Sequence, residues 1–241
     1  MKRLWVPLVL ILPLLAAGAC ARAADPAAVA TPPAGVAGGV GSSAPAAASS
    51  APAVSPTAAA GPAVVSHRQT YGWGVPSNAV LIAHTVSVPI APPPAPPLPY
   101  LEAIGAGDHP EGDPAYARMT FTFRGAFPSY RFGYVREVLS EGSGERVALS
   151  GNAFLQVRFS QAQAHDEAGG SSVERSPAPR LGLGPLVSYG FGGDFEGYLT
   201  YGLGLRVAPD SDQAPRIRTG ELVRGTGADR QYVVYVDVAR G

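Results

Sequence analysis

The sequence predicts an all-β fold, an antiparallel β-sandwich that follows a signal peptide and a disordered tether rich in alanine and proline. Three observations lead to this prediction. Apolar and polar residues alternate with a period of two in several runs after residue 98, as in strands with one face on a core. Turn signals containing glycine or proline separate these runs. No helical repeat of ten residues stands among them, although residues 160–167 have the composition of a short helix.

The first segment, residues 1–19, is predicted to be a signal peptide. Met1-Lys2-Arg3 is positively charged, an apolar stretch follows, and the small residues Gly18-Ala19 stand directly before Cys20, the one cysteine of the chain. This pattern is typical of bacterial lipoproteins, which are cleaved before a cysteine that then carries lipid. We therefore expect an exported protein, anchored to the outer face of the cell membrane by lipid on Cys20. Plain secretion and an uncleaved anchor are the alternatives.

The charge balance argues against a nucleic-acid partner. The chain has 18 basic and 18 acidic residues, and removal of Lys2 and Arg3 with the signal peptide leaves 18 − 2 = 16 basic residues, a net charge of −2. No polybasic face is left to neutralise phosphates. With Cys20 lipidated, the chain has no cysteine for a disulfide, so its domain must depend on a hydrophobic core.

Residues 20–66 are predicted to be a disordered tether. They are nearly all Ala, Pro, Ser, Gly, Val and Thr, with no aromatic residue or leucine to bury, so the entropy of the chain is not offset. A flexible coil of this length spans on the order of 40 Å. Residues 67–97 are predicted to be a short extended segment followed by a polyproline strut, Ala91–Pro97. The domain itself is assigned to residues 98–241.

Five strands of the domain are predicted from alternation. Their apolar positions carry sixteen side chains larger than alanine, each of which contributes on the order of 1.5–3 kcal/mol when buried. That is enough to support a domain without disulfides. The alternating runs are residues 117–123, 130–134, 155–159, 199–205 and 234–238.

A series of short segments resembles the AMIN-like domain of lipoproteins and secreted proteins of high-GC bacteria. The resemblance runs from Arg118 to Ala239 and depends on six segments in order rather than on one specific motif. It implies a β-sandwich similar to the N-terminal module of cell-wall amidases, which is regarded as a peptidoglycan-binding and localisation unit. The segments are 120–125, 127–135, 142–145, 154–159 with 164–167, 194–197 with 203–205, and 233–238.

The strongest candidate for catalysis is His165-Asp166-Glu167. Adjacent residues of an extended chain point to opposite faces, so this run is interpreted as a polar loop or helix start that the histidine pins by a hydrogen bond. The alternative is a cell-wall hydrolase that uses His165 with Asp166, or with Asp194 and Glu196, whose spacing places two carboxylates on one strand face. The four histidines are scattered and show no metal-ligand spacing. We therefore expect no enzyme, metal or cofactor.

The binding hypothesis depends on tyrosines and outward arginines. Tyrosine rings stack on sugars, and arginine grips carboxylates such as those of peptidoglycan stems. The alternative is that the tyrosines are core residues and the arginines a solvated sheet face. The sequence thus predicts a non-catalytic module that binds peptidoglycan or positions an envelope protein, with an adaptor lacking glycan affinity as a further alternative. The predicted ligand-binding residues are Arg124, Arg131, Arg158, Tyr134 and Tyr198.

Overall fold

The computed structural model describes residues 61–86 and 98–240. Cys20, the signal peptide, the proline strut and most of the tether lie outside these residues. The described part contains a single 3-10 turn, Gly227–Asp229, and eleven strands. The strands are β1 Val64–Gly74, β2 Val80–Ile82, β3 Tyr100–His109, β4 Tyr116–Arg124, β5 Ser129–Val135, β6 Ala153–Ser160, β7 Arg180–Leu183, β8 Leu186–Phe195, β9 Tyr198–Leu205, β10 Ile217–Arg224 and β11 Gln231–Ala239.

The strands form two antiparallel sheets, and the all-β prediction is confirmed. The five-stranded sheet has the order β1-β10-β11-β4-β3, and the six-stranded sheet has the order β2-β5-β6-β9-β8-β7. All five strands predicted from alternation are present, as β4, β5, β6, β9 and β11. Within residues 61–86 and 98–240, no helix has the length and hydropathy needed to cross a bilayer.

The core lies between the two sheets. Phe121 and Phe123 of β4 each pack edge-on against Phe159 of β6, with ring centroids 5.1 and 4.9 Å apart. Such edge-to-face pairs add about 0.5–1.5 kcal/mol beyond the area that they bury. The positions predicted to face the core are buried, with Tyr134 only partly so. Alternation therefore identified the inner faces of these strands correctly.

The domain begins before the boundary predicted at residue 98. β1 pairs with β10 from Val64 opposite Arg224 to Gly74 opposite Ile217, and β2 pairs with β5. Residues 64–66, predicted to be the end of the tether, lie in β1, and the segment predicted from residue 67 onward supplies the rest of β1 and all of β2, which are edge strands of the two sheets. No residue of β1 or β2 is buried, because an edge strand needs little apolar surface, and this weakens the alternation that would reveal the two strands.

A buried polar network fixes both early strands to the core. The side chain of Glu221 in β10 is buried and accepts hydrogen bonds from Arg68 Nη2 at 2.8 Å, His84 Nε2 at 2.8 Å and the Tyr130 hydroxyl at 3.1 Å. Charge-assisted bonds of this kind are the strong ones. They join residues of β1, the chain after β2, β5 and β10 around one carboxylate, so residues 64–84 are integral to the sandwich.

The segment 161–179 connects β6 to β7 and runs along the edge of the five-stranded sheet. Leu101 N donates to Gln163 O at 2.8 Å, and Ile104 N donates to Arg175 O at 2.8 Å. These bonds protect the β3 edge and replace the short helix that residues 160–167 could have formed. The segment thereby carries His165 to the gap between β3 and β8, where the candidate site lies.

Candidate functional site

Three of the five residues predicted to bind ligand come together. Arg131 of β5 and Arg158 of β6 are direct cross-strand partners on the outer face of the six-stranded sheet. The Arg158 guanidinium lies over the ring of Tyr198, 4.0 Å from its centroid. The sequence does not show whether these two strands are neighbours. In the structure, β5 and β6 pair directly. We call Arg131, Arg158 and Tyr198 the outer patch.

The other two predicted residues do not join the outer patch. Arg124 lies in β4 of the five-stranded sheet and donates from Nε and Nη2 to the two carboxylate oxygens of Glu102, both at 2.9 Å. The hydrogen bonds to Glu102 raise the pKa of Arg124. Tyr134 alternates with Arg131 along β5 and so faces the interior, where its hydroxyl donates to Pro215 O at 2.6 Å. Grouping these two residues with Arg131 is therefore wrong.

The outer patch offers little free charge. Arg158 is paired with Glu141, Nε to Oε1 at 3.1 Å, and Glu141 also accepts from Thr200 at 2.8 Å. Arg131 is exposed and makes no ion pair with any acid that the structure describes. The loop before β6 covers the neighbouring part of this face, since a Cβ on Gly202 would lie 2.7 Å from Leu149. A single unpaired arginine on a small exposed area would bind a carboxylate only weakly.

A more developed site lies on the inner face of β8, on the other side of the six-stranded sheet from the outer patch. A cavity of about 530 Å³ opens between β8, β3 and the segment 161–179. We call it the His165 cavity. Its walls combine apolar and aromatic side chains with a few polar groups, as ligand pockets usually do. The side chains that matter below are those of His165, Tyr189, Phe191, Asp194 and Tyr201.

Phe191 gives the His165 cavity an exposed aromatic surface. It faces the interior side of β8, but β3 and the rest of the five-stranded sheet do not extend over it, and 54% of its surface remains exposed. Its ring packs against that of Tyr201, with centroids 5.5 Å apart and planes tilted by 56°. Tyr201 therefore holds Phe191 in place, and the exposed ring is preorganised for contact with a ligand.

Asp194 is the polar centre of the His165 cavity. Its Oδ2 accepts hydrogen bonds from His165 Nδ1 at 2.5 Å and from Ala164 N at 2.7 Å. The side chain is only 10% exposed, and its Oδ1 is buried without a hydrogen-bond partner among the residues that the structure describes. A buried acceptor that lacks a donor is rare and costs about 1–3 kcal/mol. A hydroxyl or N–H group of a ligand would satisfy it.

The acids predicted to work with His165 do not converge on it as a set. Asp166 accepts from the backbone N–H groups of Ala168 at 3.0 Å and Gly170 at 2.8 Å, so its carboxylate stabilises its own turn. Glu196 follows the end of β8 in the hairpin turn, with φ of +51°, and does not share a strand face with Asp194. His165 therefore meets one of the proposed acids, Asp194, and this contact pins the loop.

Two tyrosines complete the polar surroundings. Burial raises the pKa of Tyr201, and Tyr189 and the Asp194 carboxylate raise it further, so its hydroxyl stays protonated. The hydroxyl of Tyr189 donates to Pro177 O at 2.7 Å and helps to hold the segment 161–179. Across residues 61–86 and 98–240, His, Cys, Asp and Glu side chains form no group of three that could hold a metal ion.

Sequence reasoning did not find Phe191, and it named Asp194 as a partner of His165 only within an alternative that also included Asp166 and Glu196. The available signal was the run Tyr189 to Phe195, in which aromatic residues alternate with glycines. Alternation is interrupted there by a register shift between Phe191 and Gly193, which places Asp194 on the inner face. A bulge of this kind re-aims side chains, and nothing in the local sequence fixes where it occurs.

The fold and the cavity define a β-sandwich module with an open, aromatic-lined binding site. Residues 99–218 match the family model of the AMIN-like domain, and the chain therefore carries an AMIN-like domain. Domains of this family are generally non-catalytic, and the match indicates a cell-wall-related binding module. No curated protein and no solved structure matches the chain.

Proposed function

We propose that this chain is an exported module that binds a glycan polymer of the cell envelope, in the first place peptidoglycan, in the His165 cavity. We further propose that lipid on Cys20 anchors it to the membrane. The observation that carries the binding proposal is the pairing of a half-exposed aromatic ring, Phe191, with a buried carboxylate oxygen of Asp194 that lacks a donor.

Sugars fit this combination of groups. The C–H face of a pyranose packs on an aromatic ring, while its hydroxyl and amide groups donate hydrogen bonds to carboxylates. Ala164 N–H and His165 hold the Asp194 carboxylate, and Tyr201 supports Phe191, so neither group has to be ordered when a ligand binds. The volume of about 530 Å³ lies within the range of sites for small ligands and admits one or two sugar rings.

The test is co-sedimentation of the purified protein with cell-wall sacculi stripped of protein. Phe191→Ala should weaken retention about tenfold, and Asp194→Asn by about tenfold or more, because a hydrogen bond to a charged group contributes about 1.5–3 kcal/mol. Phe195→Ala is the matched control. Phe195 is equally exposed at 53% and lies in the same strand but on the opposite face. It should retain binding.

Three outcomes would contradict the proposal. No retention of the unaltered protein above that of an unrelated β-protein would reject glycan binding. Retention only by sacculi that still carry their proteins would instead indicate an adaptor. An equal loss in Phe195→Ala and Phe191→Ala would move the site from the His165 cavity to the outer face of the sheet.

A second candidate, a cell-wall hydrolase, is favoured by one observation. In the pair His165–Asp194, a buried carboxylate orients a half-exposed histidine at the cavity wall, as in the base-and-orienter pair of hydrolases. Release of soluble fragments from sacculi tests this candidate. Release that is abolished in His165→Ala would establish the hydrolase. Absence of release, with retention intact in the unaltered protein, would support the binding module.

A further inference from the structure

A second cavity lies elsewhere on the sandwich and is lined by arginine. It measures about 580 Å³ and is bounded by the turn between β7 and β8, the chain between β9 and β10, and the end of β11. It shares no lining residue with the His165 cavity. Arg206, Arg216 and Arg240 line it, and none of the described residues that line it is acidic. We call it the arginine cavity.

Most of the positive charge in the arginine cavity is uncompensated. Arg206 and Arg216 make no ion pair with any acid in the described part of the chain. Arg240 pairs with Asp108, and its Nε is buried without an acceptor. Three guanidinium groups line the cavity and one carboxylate pairs with them, an excess of about +2 among these groups, while Asp210 and Asp212 of the bounding loop do not line the cavity and make no described ion pair with the arginines. Like charges held on one cavity repel each other, and a bound anion would remove this cost.

The fold fixes the backbone at each arginine. Arg206 N donates to Pro185 O at 2.8 Å, Ala239 N donates to Arg216 O at 2.9 Å, and Arg240 N donates to Ala115 O at 2.8 Å. Neighbouring strands and turns therefore determine where the three side chains start. Their convergence is a property of the sandwich and not of one flexible loop.

Gly184 allows Arg240 to pack against the turn between β7 and β8. This glycine has φ of +61°, and a Cβ at this position would lie 3.2 Å from Arg240 Cζ. A larger residue would be strained in this conformation and would press on the guanidinium. Arg240 is thus held at the cavity wall with a buried Nε–H donor that no described protein group accepts.

We propose that the arginine cavity binds an oxyanion with two negative charges, of the class of phosphate monoesters and dicarboxylates. Guanidinium groups bind both kinds of oxygen acceptor bidentately. The two uncompensated charges of Arg206 and Arg216 match a doubly charged group, and the unused Nε–H of Arg240 supplies a further donor. Because the two cavities share no residues, this site is independent of glycan binding.

The test is calorimetric titration of the full chain with inorganic phosphate and with succinate, each against chloride at equal ionic strength. We expect at least one of the two oxyanions to bind with a Kd of about 1 mM or tighter, and chloride not to reproduce the effect. Arg206→Gln and Arg216→Gln should each weaken binding about fivefold or more, since each removes one charged contact. Phosphate and succinate distinguish the two sources of such an oxyanion.

The control is Arg230→Gln, which removes an exposed arginine outside the cavity. It should bind as the unaltered chain does. Arg206 and Arg216 are exposed and make no described side-chain hydrogen bond, so their variants should fold, and circular dichroism checks this. The proposal is overturned if neither oxyanion binds at concentrations up to about 10 mM, if chloride gives the same heat, or if Arg230→Gln loses as much affinity as the cavity variants.

Discussion

Asp237 offers the sharpest test of how this sandwich is stabilised. It lies in β11 on the outer face of the five-stranded sheet, yet its side chain is fully buried between Arg118 and Arg218. Arg118 donates to it at 2.6 and 2.9 Å, and Arg218 donates to it at 2.9 and 2.6 Å. Burial lowers the pKa of Arg118, but the hydrogen bond and charge of Asp237 outweigh this and raise it. We consider the substitution Asp237→Asn, which keeps the shape of the side chain and removes its charge.

The expected loss follows from burial and the number of bonds. Asparagine leaves two guanidinium groups without a counter-charge and replaces one acceptor oxygen with a donor. Removal of one partner from a buried ion pair costs about 3–5 kcal/mol. Arg118 and Arg218 are 20% and 21% exposed, so water compensates part of this, and we expect a loss of about 3 kcal/mol. For a domain of this size, that lowers Tm by about 6–12 °C.

The assay is thermal and urea unfolding of Asp237→Asn beside Glu137→Gln. Glu137 pairs with Arg146 at the surface, where the two side chains are 39% and 74% exposed. An exposed pair contributes at most about 1 kcal/mol, so the control should lose about 2–4 °C or less. If the two variants lose the same stability, the buried carboxylate does not hold the two arginines in place energetically, and the reasoning fails.

Two further predictions concern the whole sandwich. A chain that begins at Leu98 should not unfold cooperatively, whereas one that begins at Gly61 should. Loss of Arg68 and His84 leaves the buried carboxylate of Glu221 without its arginine counter-charge and without two of its hydrogen-bond donors, and equal Tm values would contradict this. Burial raises the pKa of Tyr130, Tyr134, Tyr201 and Tyr235. These residues stay neutral in the folded state at a pH at which the unfolded chain ionises. Their stabilisation is therefore fully present below about pH 10 and is lost above it, by about 1.4 kcal/mol per pH unit for each tyrosine that stays neutral, measured by urea unfolding. Tyr201→Phe should lower this slope by about 1.4 kcal/mol per pH unit, and an unchanged slope would contradict the assignment.

The sequence alone was sufficient to predict the strands whose two faces differ in polarity. β4 and β6 bury alternate side chains, and a period of two follows directly from that geometry. β5, β9 and β11 are buried on both faces over much of their length, but their core-facing positions are apolar throughout, so the period of two remains visible in the sequence. It was insufficient for the edge strand β1, whose outer residues need no apolar character, and for β8, where a bulge and several glycines interrupt the period. Local patterns report the burial of a strand rather than its pairing.

The candidate sites depend on which strands pair with each other, and the sequence does not show this. Sequence reasoning therefore predicted these sites only in part. Arg131 and Arg158 were assigned correctly to an outer face, because that follows from alternation within each strand. Arg124 was grouped with them although β4 belongs to the other sheet. The contact between His165 and Asp194 joins residues 29 positions apart and requires the segment 161–179 to follow β3, which no spacing in the sequence encodes.

The extent of the AMIN-like match bears on the truncation test. The matched residues, 99–218, end at the beginning of β10 and exclude β1, β2 and β11. β11 is the central strand of the five-stranded sheet, paired with β10 on one side and β4 on the other, and its inner-facing valines are fully buried. A sheet without its central strand would leave two unpaired edges and expose the core. The physical domain in this chain therefore includes the described residues 61–86 and 98–240, and Glu221 joins Arg68 of β1 and His84 after β2 to Tyr130 of the matched region.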